Sequence, residues 1–436
     1  MVQKWFSLGL WFGLCFFGVT LPQLQAQSVR EDLAADPSKA GNVYVSYPNP
    51  TEIYTPAPAG YEPFYISHYG RHGSRWRIDP KDYSLPVEIL SAARDSGYLT
   101  PQGERVLAVV ERVAREAEGR YGELSRLGAR QHRAIAQRMV AHFPQVFADS
   151  AEVDARSTVV IRCILSMDAA CQTYKALNPL LQITNDASAH DMYYMNAPDT
   201  PDRFYAGQYA RVKPVIDSFE KVHLHPQRLM ESLFTKPSYA QDNALAFMKK
   251  LYGVVVGMSC LVEEPWYTPQ YNLEGLFTVD EMYDQWACNT LYWFALFGAY
   301  DATQGVMPYR QKELLRDILD KAHDFVASGK HGATLRYGHD SVISPLIALL
   351  NLDGLGRQAT HLEEALDQWR IYRLVPMAAN IQFVFYKKRA GALQQADPVL
   401  VKVLLNEREV TLPLSSTMAP YYTWDQVETY YRSLLR

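Results

Sequence analysis

Cysteine is scarce in this sequence, five in 436 residues, and no two of them form a C-x-x-C pair. That excludes a disulfide-stapled scaffold, a zinc ribbon and a thioredoxin-type redox motif. Excess positive charge is missing too. Lys and Arg number 43 against 47 Asp and Glu, a formal charge of −4, so the chain has no general attraction for nucleic acid or an anionic membrane and no nucleic-acid partner is expected. Beyond the N-terminus no stretch offers the ~20 uninterrupted apolar residues of a bilayer span. Internal repeats and low-complexity tracts are absent, and the 24 glycines and 25 prolines show no period, which rules out collagen-like and disordered classes.

What is present is an ordinary globular composition, 48% apolar and 12% aromatic, long enough for a large core. The first residues are a separate object: Lys4 precedes an apolar run from Trp5 to Val19, followed by Leu21-Pro22 and Ala26. This is the pattern of a secretory signal peptide over residues 1–26. It predicts a soluble, secreted or periplasmic mature protein with no membrane span. Leu14 stands before Cys15 where lipidation needs a small residue. Cleavage after Ala26 would remove one lysine and no acid, taking the charge to −5. Of the four remaining cysteines, Cys163 and Cys171 lie about 12 Å apart along a helix, too far for a bridge. Cys260 with Cys288 is the favoured pair.

Residues 27–60 read as an extended lead-in without periodicity. Phe64 to Tyr69 is the first strong strand signal and ends in Arg71-His72-Gly73-Ser74-Arg75. Apolar residues at helical spacing follow over 104–118 and 126–143. A short strand, Ala151 to Ala155, runs into Arg156-Ser157-Thr158, with Ser157 or Thr158 the expected N-cap of the next helix. Ala333 to Tyr337 leads into His339-Asp340-Ser341 and a helix from Val342. Strands near 377–386 and 399–405 close the chain. Residues 185–309, dense in Tyr, Trp, Met and Pro with helical stretches, read as an inserted, mainly helical cap domain. Residues 61–184 and 310–436 then form one α/β catalytic domain.

Three times a strand runs into a short polar stretch and a helix begins. In open α/β sheets ligands bind outside the carboxyl ends of strands, where helix N-termini and loop side chains converge. Brought together, these stretches supply three arginines, two histidines and one carboxylate. Arginine forks match phosphate oxygens and stay charged at any working pH, while a single acid is what a departing alkoxide requires. The substrate class so indicated is a small-molecule phosphate monoester.

These residues resemble the histidine phosphatases, specifically the branch of acid phosphatases, phytases and multiple inositol polyphosphate phosphatases. Arg71-His72-Gly73-Ser74-Arg75 fits that family's RHGxR signature. Arg156-Ser157-Thr158 with Arg162 fits its second motif, and His339-Asp340 its late His-Asp pair. Gly122-Glu123-Leu124-Ser125 with Gly128 and Gln131-His132 is similar to a helical stretch of the family. The resemblance implies a mostly parallel central sheet flanked by helices, of phosphoglycerate-mutase type. It implies His72 as nucleophile through a phosphohistidine and Asp340 as proton donor. Arg71, Arg75, Arg156 and His339 would hold the phosphoryl oxygens, with no metal or cofactor required. Two features depart from relatives: Trp76-Arg77 follows RHGxR, and His339-Asp340 stands where the inositol polyphosphate branch commonly has His-Ala-Glu. Arg77 is a candidate extra anion contact.

Other residues have blander readings. Arg162, four residues into the expected helix, is expected to form a structural ion pair. A second pair, His190-Asp191, lacks a preceding strand, so His339-Asp340 is preferred. His223 and His225 read as a solvated loop rather than metal ligands, and His68, Tyr69 and His132 as supporting or packing residues. The reading from another class is a secreted, aromatic-rich, non-catalytic protein that binds glycans or nutrients. Export and aromatic content suit it, but nothing in it calls for Arg71 to Arg75 or His339-Asp340.

Overall fold

The computed structural model describes residues 28–196, 203–389 and 397–435. The expected signal peptide lies outside them. β1 (Tyr61–Arg71) is the centre of an eight-stranded mixed sheet with β2 (Glu152–Ser157), β3 (Gln182–Asp186), β4 (Gly332–Gly338), β5 (Asn380–Lys388), β6 (Leu400–Leu405), β7 (Arg408–Glu409) and β8 (Tyr422–Thr423). The order is β3-β2-β4-β1-β5-β6-β7, with β8 on β6. The four strands from β3 to β1 are parallel, whereas β5, β6, β7 and β8 pair antiparallel. The fold is thus α/β as expected, but its parallel character is confined to one half of the sheet.

Period-two alternation along β1 sends neighbouring residues to opposite faces. Tyr65 and Tyr69 enter a core with Leu315, Ile318, Ile343 and Leu346. Ile66 enters another with Val153, Leu335, Ile135, Met139 and Met167. Covered on both faces and flanked by β4 and β5, β1 is buried from Pro63 to its end, as a strand inside an α/β sheet must be.

The helices begin where their caps dictate. Thr100 accepts from the Gly103 amide ahead of Pro101 at the first helical position, and Ser125 accepts from the Gly128 amide; both cap donors that the first turn leaves unpaired. A third core, mostly helical, draws on Leu33, Val106, Val110, Leu229, Phe247, Leu251 and Trp286, with Trp76 from the loop after β1. Helices from residues 81–117 and from the 185–309 stretch therefore share one interior.

The lead-in departs from expectation. It is helical over Val29–Ala35 and a 3-10 helix over Pro37–Tyr44, with extended chain only afterwards. Its helix signal is short, one capping box of Ser28 and Glu31, and its stability comes from Val29, Leu33 and Ala40 packing into the helical core.

Candidate active site

Strand order decides which loops meet. Because β4 lies between β2 and β1, the carboxyl ends of all three stand side by side, with Arg71 opposite Gly338 and Ser157 opposite Tyr337. The loops carrying His72, Thr158 and His339 are therefore neighbours at one edge of the sheet.

His72 is clamped by backbone on two sides: its amide donates to Gly338 O at 2.9 Å, and the Ala378 amide donates to His72 O at 2.9 Å. The loop after it is held by the helix Arg126–His142. Gln131 Oε1 accepts from the Ser74 amide at 2.9 Å and Gln131 Nε2 donates to Ser74 Oγ at 3.0 Å. A Cβ at position 73 would sit 2.3 Å from Gly128 O, and one at position 128 would sit 2.2 Å from Ser74 O. Glycine is required at both positions by this contact. Ser166 Oγ accepts from the Gly73 amide at 3.1 Å.

The His72 ring is buried, with Nδ1 2.9 Å from Gly73 O. A carbonyl only accepts, so Nδ1 carries the proton and Nε2 keeps its lone pair. Burial, then the charges of Arg71, Arg75 and Arg162, hold this imidazole well below its ordinary pKa. His339 lies with its ring centre 5.8 Å from that of His72. Its Nε2 is 3.2 Å from Thr158 Oγ1, and burial lowers it to about 4. Both rings are neutral.

Arg71 is fully buried. Its Nη1 donates to Val43 O at 2.6 Å and Val375 O at 2.9 Å, and its Nη2 meets Asp340 Oδ2 at 2.6 Å. Arg75 Nη1 donates to Tyr44 Oη at 3.0 Å and to Trp76 O at 2.9 Å. Asp340 is the first residue of the helix Asp340–Leu349, and its Oδ1 accepts from the Ser341 amide at 2.8 Å. Burial alone would raise this carboxyl, but Arg71, Arg75, His339 and the Ser341 amide together hold it below its ordinary value.

Arg156 does not join this group. Its Nη1 pairs with Asp191 Oδ2 at 2.6 Å and its Nε with Asp154 Oδ2 at 3.3 Å, and these partners outweigh desolvation to raise it. The rival pair His190-Asp191 thus lends its carboxylate to Arg156. Arg162, expected to form a structural ion pair, is turned toward this group instead. The helix starts at Ile161 with Val160 as N-cap, later than the sequence suggests, so Arg162 lies in its first turn. It forms no ion pair among the described residues, and its charge acts on Arg75, His72 and His339. The Nε atoms of Arg71, Arg75 and Arg162 are all buried without a hydrogen-bond partner in the protein.

Sequence reasoning missed Tyr44. Its ring lies 4.9 Å from the Arg75 guanidinium and 4.5 Å from that of Arg77, and its hydroxyl accepts from Arg75. No periodicity marks residues 42–46, so only the tertiary contact shows them entering the site. Arg77 itself is held by Asp82 at 2.7 Å, which Lys250 shares at 2.5 Å.

His68 and His132 flank Tyr337, and burial lowers each to about 3; they are neutral supports. Tyr69 Oη accepts from the His339 amide at 3.3 Å and donates to Met195 O at 2.8 Å. All four cysteines among the described residues are free and buried. The expected Cys260–Cys288 bridge is not formed: Cys260 Sγ lies 3.1 Å from Tyr44 O, while Cys288 is buried in the helix Val279–Phe297. His223 Nδ1 lies 3.7 Å from Asp284. Among the described residues no group of three or more His, Cys, Asp or Glu is placed to hold a metal ion.

The sequence profile of the histidine phosphatase superfamily (branch 2) matches residues 100–406. Multiple inositol polyphosphate phosphatase 1 of Gallus gallus is 24% identical over 427 residues, covering 94% of this chain and 88% of that protein. The crystal structure of Bifidobacterium longum multiple inositol polyphosphate phosphatase in complex with inositol hexasulfate superposes with a TM-score of 0.71 at 20% identity, over 91% of this chain and 97% of the other. The phytase from D. castellii gives a TM-score of 0.63 at 12% identity, over 97% and 90%.

Proposed function

The chain belongs to the histidine phosphatase superfamily, branch 2, a family of phosphoric monoester hydrolases, and from that premise we propose that it cleaves phosphate monoesters through a phosphohistidine on His72. The observation that carries this reading is the trio of buried guanidinium N–H groups on Arg71, Arg75 and Arg162 that lack a protein acceptor, beside an imidazole locked with Nε2 free. An unsatisfied buried donor costs about 1–3 kcal/mol. A tetrahedral oxyanion offsets that cost at all three.

In the first step Nε2 of His72 forms a bond to phosphorus as the P–O ester bond breaks, and Asp340 gives its proton to the departing oxygen. In the second, water attacks phosphorus, the P–N bond breaks, the electron pair returns to Nε2, and Asp340 takes the water proton. Arg71, Arg75 and Arg162, with the N–H of His339, hold the equatorial oxygens and stabilise the charge that spreads over them. A ligand-binding protein without turnover would have no use for a neutral, tautomer-fixed histidine among these cations.

The substrate we favour is an inositol phosphate such as phytate, with sugar phosphates the next class. The relatives' names support this choice. Residues 185–309 act in this reading as the cap over the substrate, and residues 1–26 direct export. Among the described residues no helix is long and apolar enough to cross a membrane. The test is release of inorganic phosphate by purified protein from a panel of phytate, sugar phosphates and p-nitrophenyl phosphate, with and without EDTA. Turnover that survives EDTA and is fastest on phytate supports the reading; binding of phytate without phosphate release contradicts it.

A further inference from the structure

A second cluster of cations lies outside the catalytic centre, around Asp32. This carboxylate is buried to 1% exposure. Its Oδ2 alone accepts from Arg373 at 2.5 Å, Tyr372 at 2.6 Å and Arg370 at 3.1 Å, and Lys39 lies 3.4 Å from Oδ1. One cation is enough to compensate one buried carboxylate. Three cations exceed that carboxylate by two positive charges, and a single oxygen has too few lone pairs to satisfy all the donors aimed at it.

Lys39, Arg370, Tyr372 and Arg373 form one wall of a cleft of about 1210 Å³, at or above the roughly 300–1,000 Å³ of ordinary small-molecule sites. Arg373 is held at its guanidinium by Asp32 yet is 52% exposed, so its free N–H groups are oriented in advance toward solvent. Elsewhere in the lining Asp353 is matched by Arg408 at 2.8 Å. Asp36 and Glu52 are the remaining acids, and Arg357 adds a further cation. Asp36 is turned to Ser38, whose amide and hydroxyl it accepts.

The cleft lies across residues 43–47 from the nucleophile. Val43 O accepts from Arg71, whereas Val45, Ser46 and Tyr47 line the cleft. It opens at the same end of the sheet as the catalytic loops, beside Asn406, whose Nδ2 donates to Arg373 O and Leu374 O.

We propose that this cleft is a second binding site, for a small polyanion carrying several phosphate or sulfate groups, seated on Lys39, Arg370 and Arg373. Fixed guanidiniums suit oxyanions of this geometry, and the size of the cleft suits a ring bearing several such groups. Its lining holds no histidine and no cysteine, and the proposed role is binding without turnover.

The test is calorimetric titration with inositol hexasulfate, which is not hydrolysed and whose binding is read without any activity. Wild-type protein should take up two equivalents. Arg373→Ser, which leaves Asp32 with Arg370, Lys39 and Tyr372, should weaken one equivalent at least tenfold while kcat/KM on p-nitrophenyl phosphate stays within twofold. Lys39→Gln should do the same and carries the test if the first variant melts early. Binding of one equivalent only, or of two that neither variant moves, overturns the proposal. Because occupancy is measured apart from turnover, its failure is distinguishable from failure of the catalytic reading.

Discussion

Arg71 and Asp340 meet at 2.6 Å, the arginine wholly buried and the carboxylate side chain 16% exposed. The free site therefore holds Asp340 ionised, although the proposed mechanism needs it as an acid. An arriving phosphate dianion competes for the same guanidinium and places negative charge beside the carboxylate, and both effects raise its proton affinity. In the proposed mechanism substrate thus prepares its own proton donor. The basic limb of the kcat profile, which reports the bound state, should lie at higher pH than that of kcat/KM, which reports the free enzyme. Coincident limbs, or a kcat limb at lower pH, would sink this account of Asp340.

Asp340→Asn keeps the side chain's shape but removes the proton. On alkyl phosphates the phosphorylation step should fall by about 10²–10⁴-fold, the usual contribution of a positioned acid. p-Nitrophenolate departs without protonation, so the burst with p-nitrophenyl phosphate should suffer much less. Equal losses for both leaving groups would show that Asp340 only shapes the pocket.

Arg162 and Arg156 make opposite predictions although they are six residues apart. Arg162→Ala should lower kcat/KM by roughly 10²–10³-fold, as removal of one oxyanion donor does. Arg156→Ala should leave kcat/KM within threefold and instead lower thermal stability, because Asp191, 8% exposed, loses its partner. Steady-state kinetics and melting of the two proteins decide it, and the reverse ranking restores Arg156 to the site.

Tyr44→Phe keeps the ring against Arg75 and Arg77 but removes the hydroxyl that accepts from Arg75. A hydrogen bond to a charged group contributes about 1.5 kcal/mol or more, so kcat/KM should fall roughly tenfold, and further in Tyr44→Ala. If Tyr44→Phe matches wild type, the hydroxyl has no positioning role.

Acid should destabilise the fold. His68 and His132 are lowered to about 3 and His339 to about 4, each first by burial. Unfolded histidines take up protons below about 6.5, whereas these folded ones do not. Their contribution is complete above that pH and is lost as pH falls toward 4, by on the order of 1.4 kcal/mol per pH unit for each. Urea denaturation at pH 7 and pH 5 measures it. Equal or greater stability at pH 5 contradicts the neutral, buried state of these rings.

The loops after β1, β2 and β4 were legible because strand, polar turn and helix N-terminus each leave a local signal, and Gly73 and Gly128 mark a close backbone approach. The pairing of Arg156 with Asp154 and Asp191, away from the other arginines, has a specific cause. Thr158 and Ser157 look like N-caps, but Thr158 Oγ1 meets His339 and Ser157 Oγ bonds Thr158 O, so the helix begins after them and turns Arg162 inward. Tyr44 was invisible for another reason: its partner Arg75 is 31 residues away, and the segment that carries it is ordered by burial rather than by any period. The free state of Cys260 likewise depends on what surrounds it, since Tyr44 O, not Cys288, is its neighbour.

The central claim is that His72 carries the phosphoryl group. The most direct measurement is rapid quenching of wild-type protein during turnover of ³²P-labelled substrate, with the trapped label tested for acid and alkali stability and located by peptide mapping. The account predicts an alkali-stable, acid-labile label on the peptide containing His72, and none in a folded His72→Ala protein. An acid-stable label, or His72→Ala turnover near that of wild type, would contradict it.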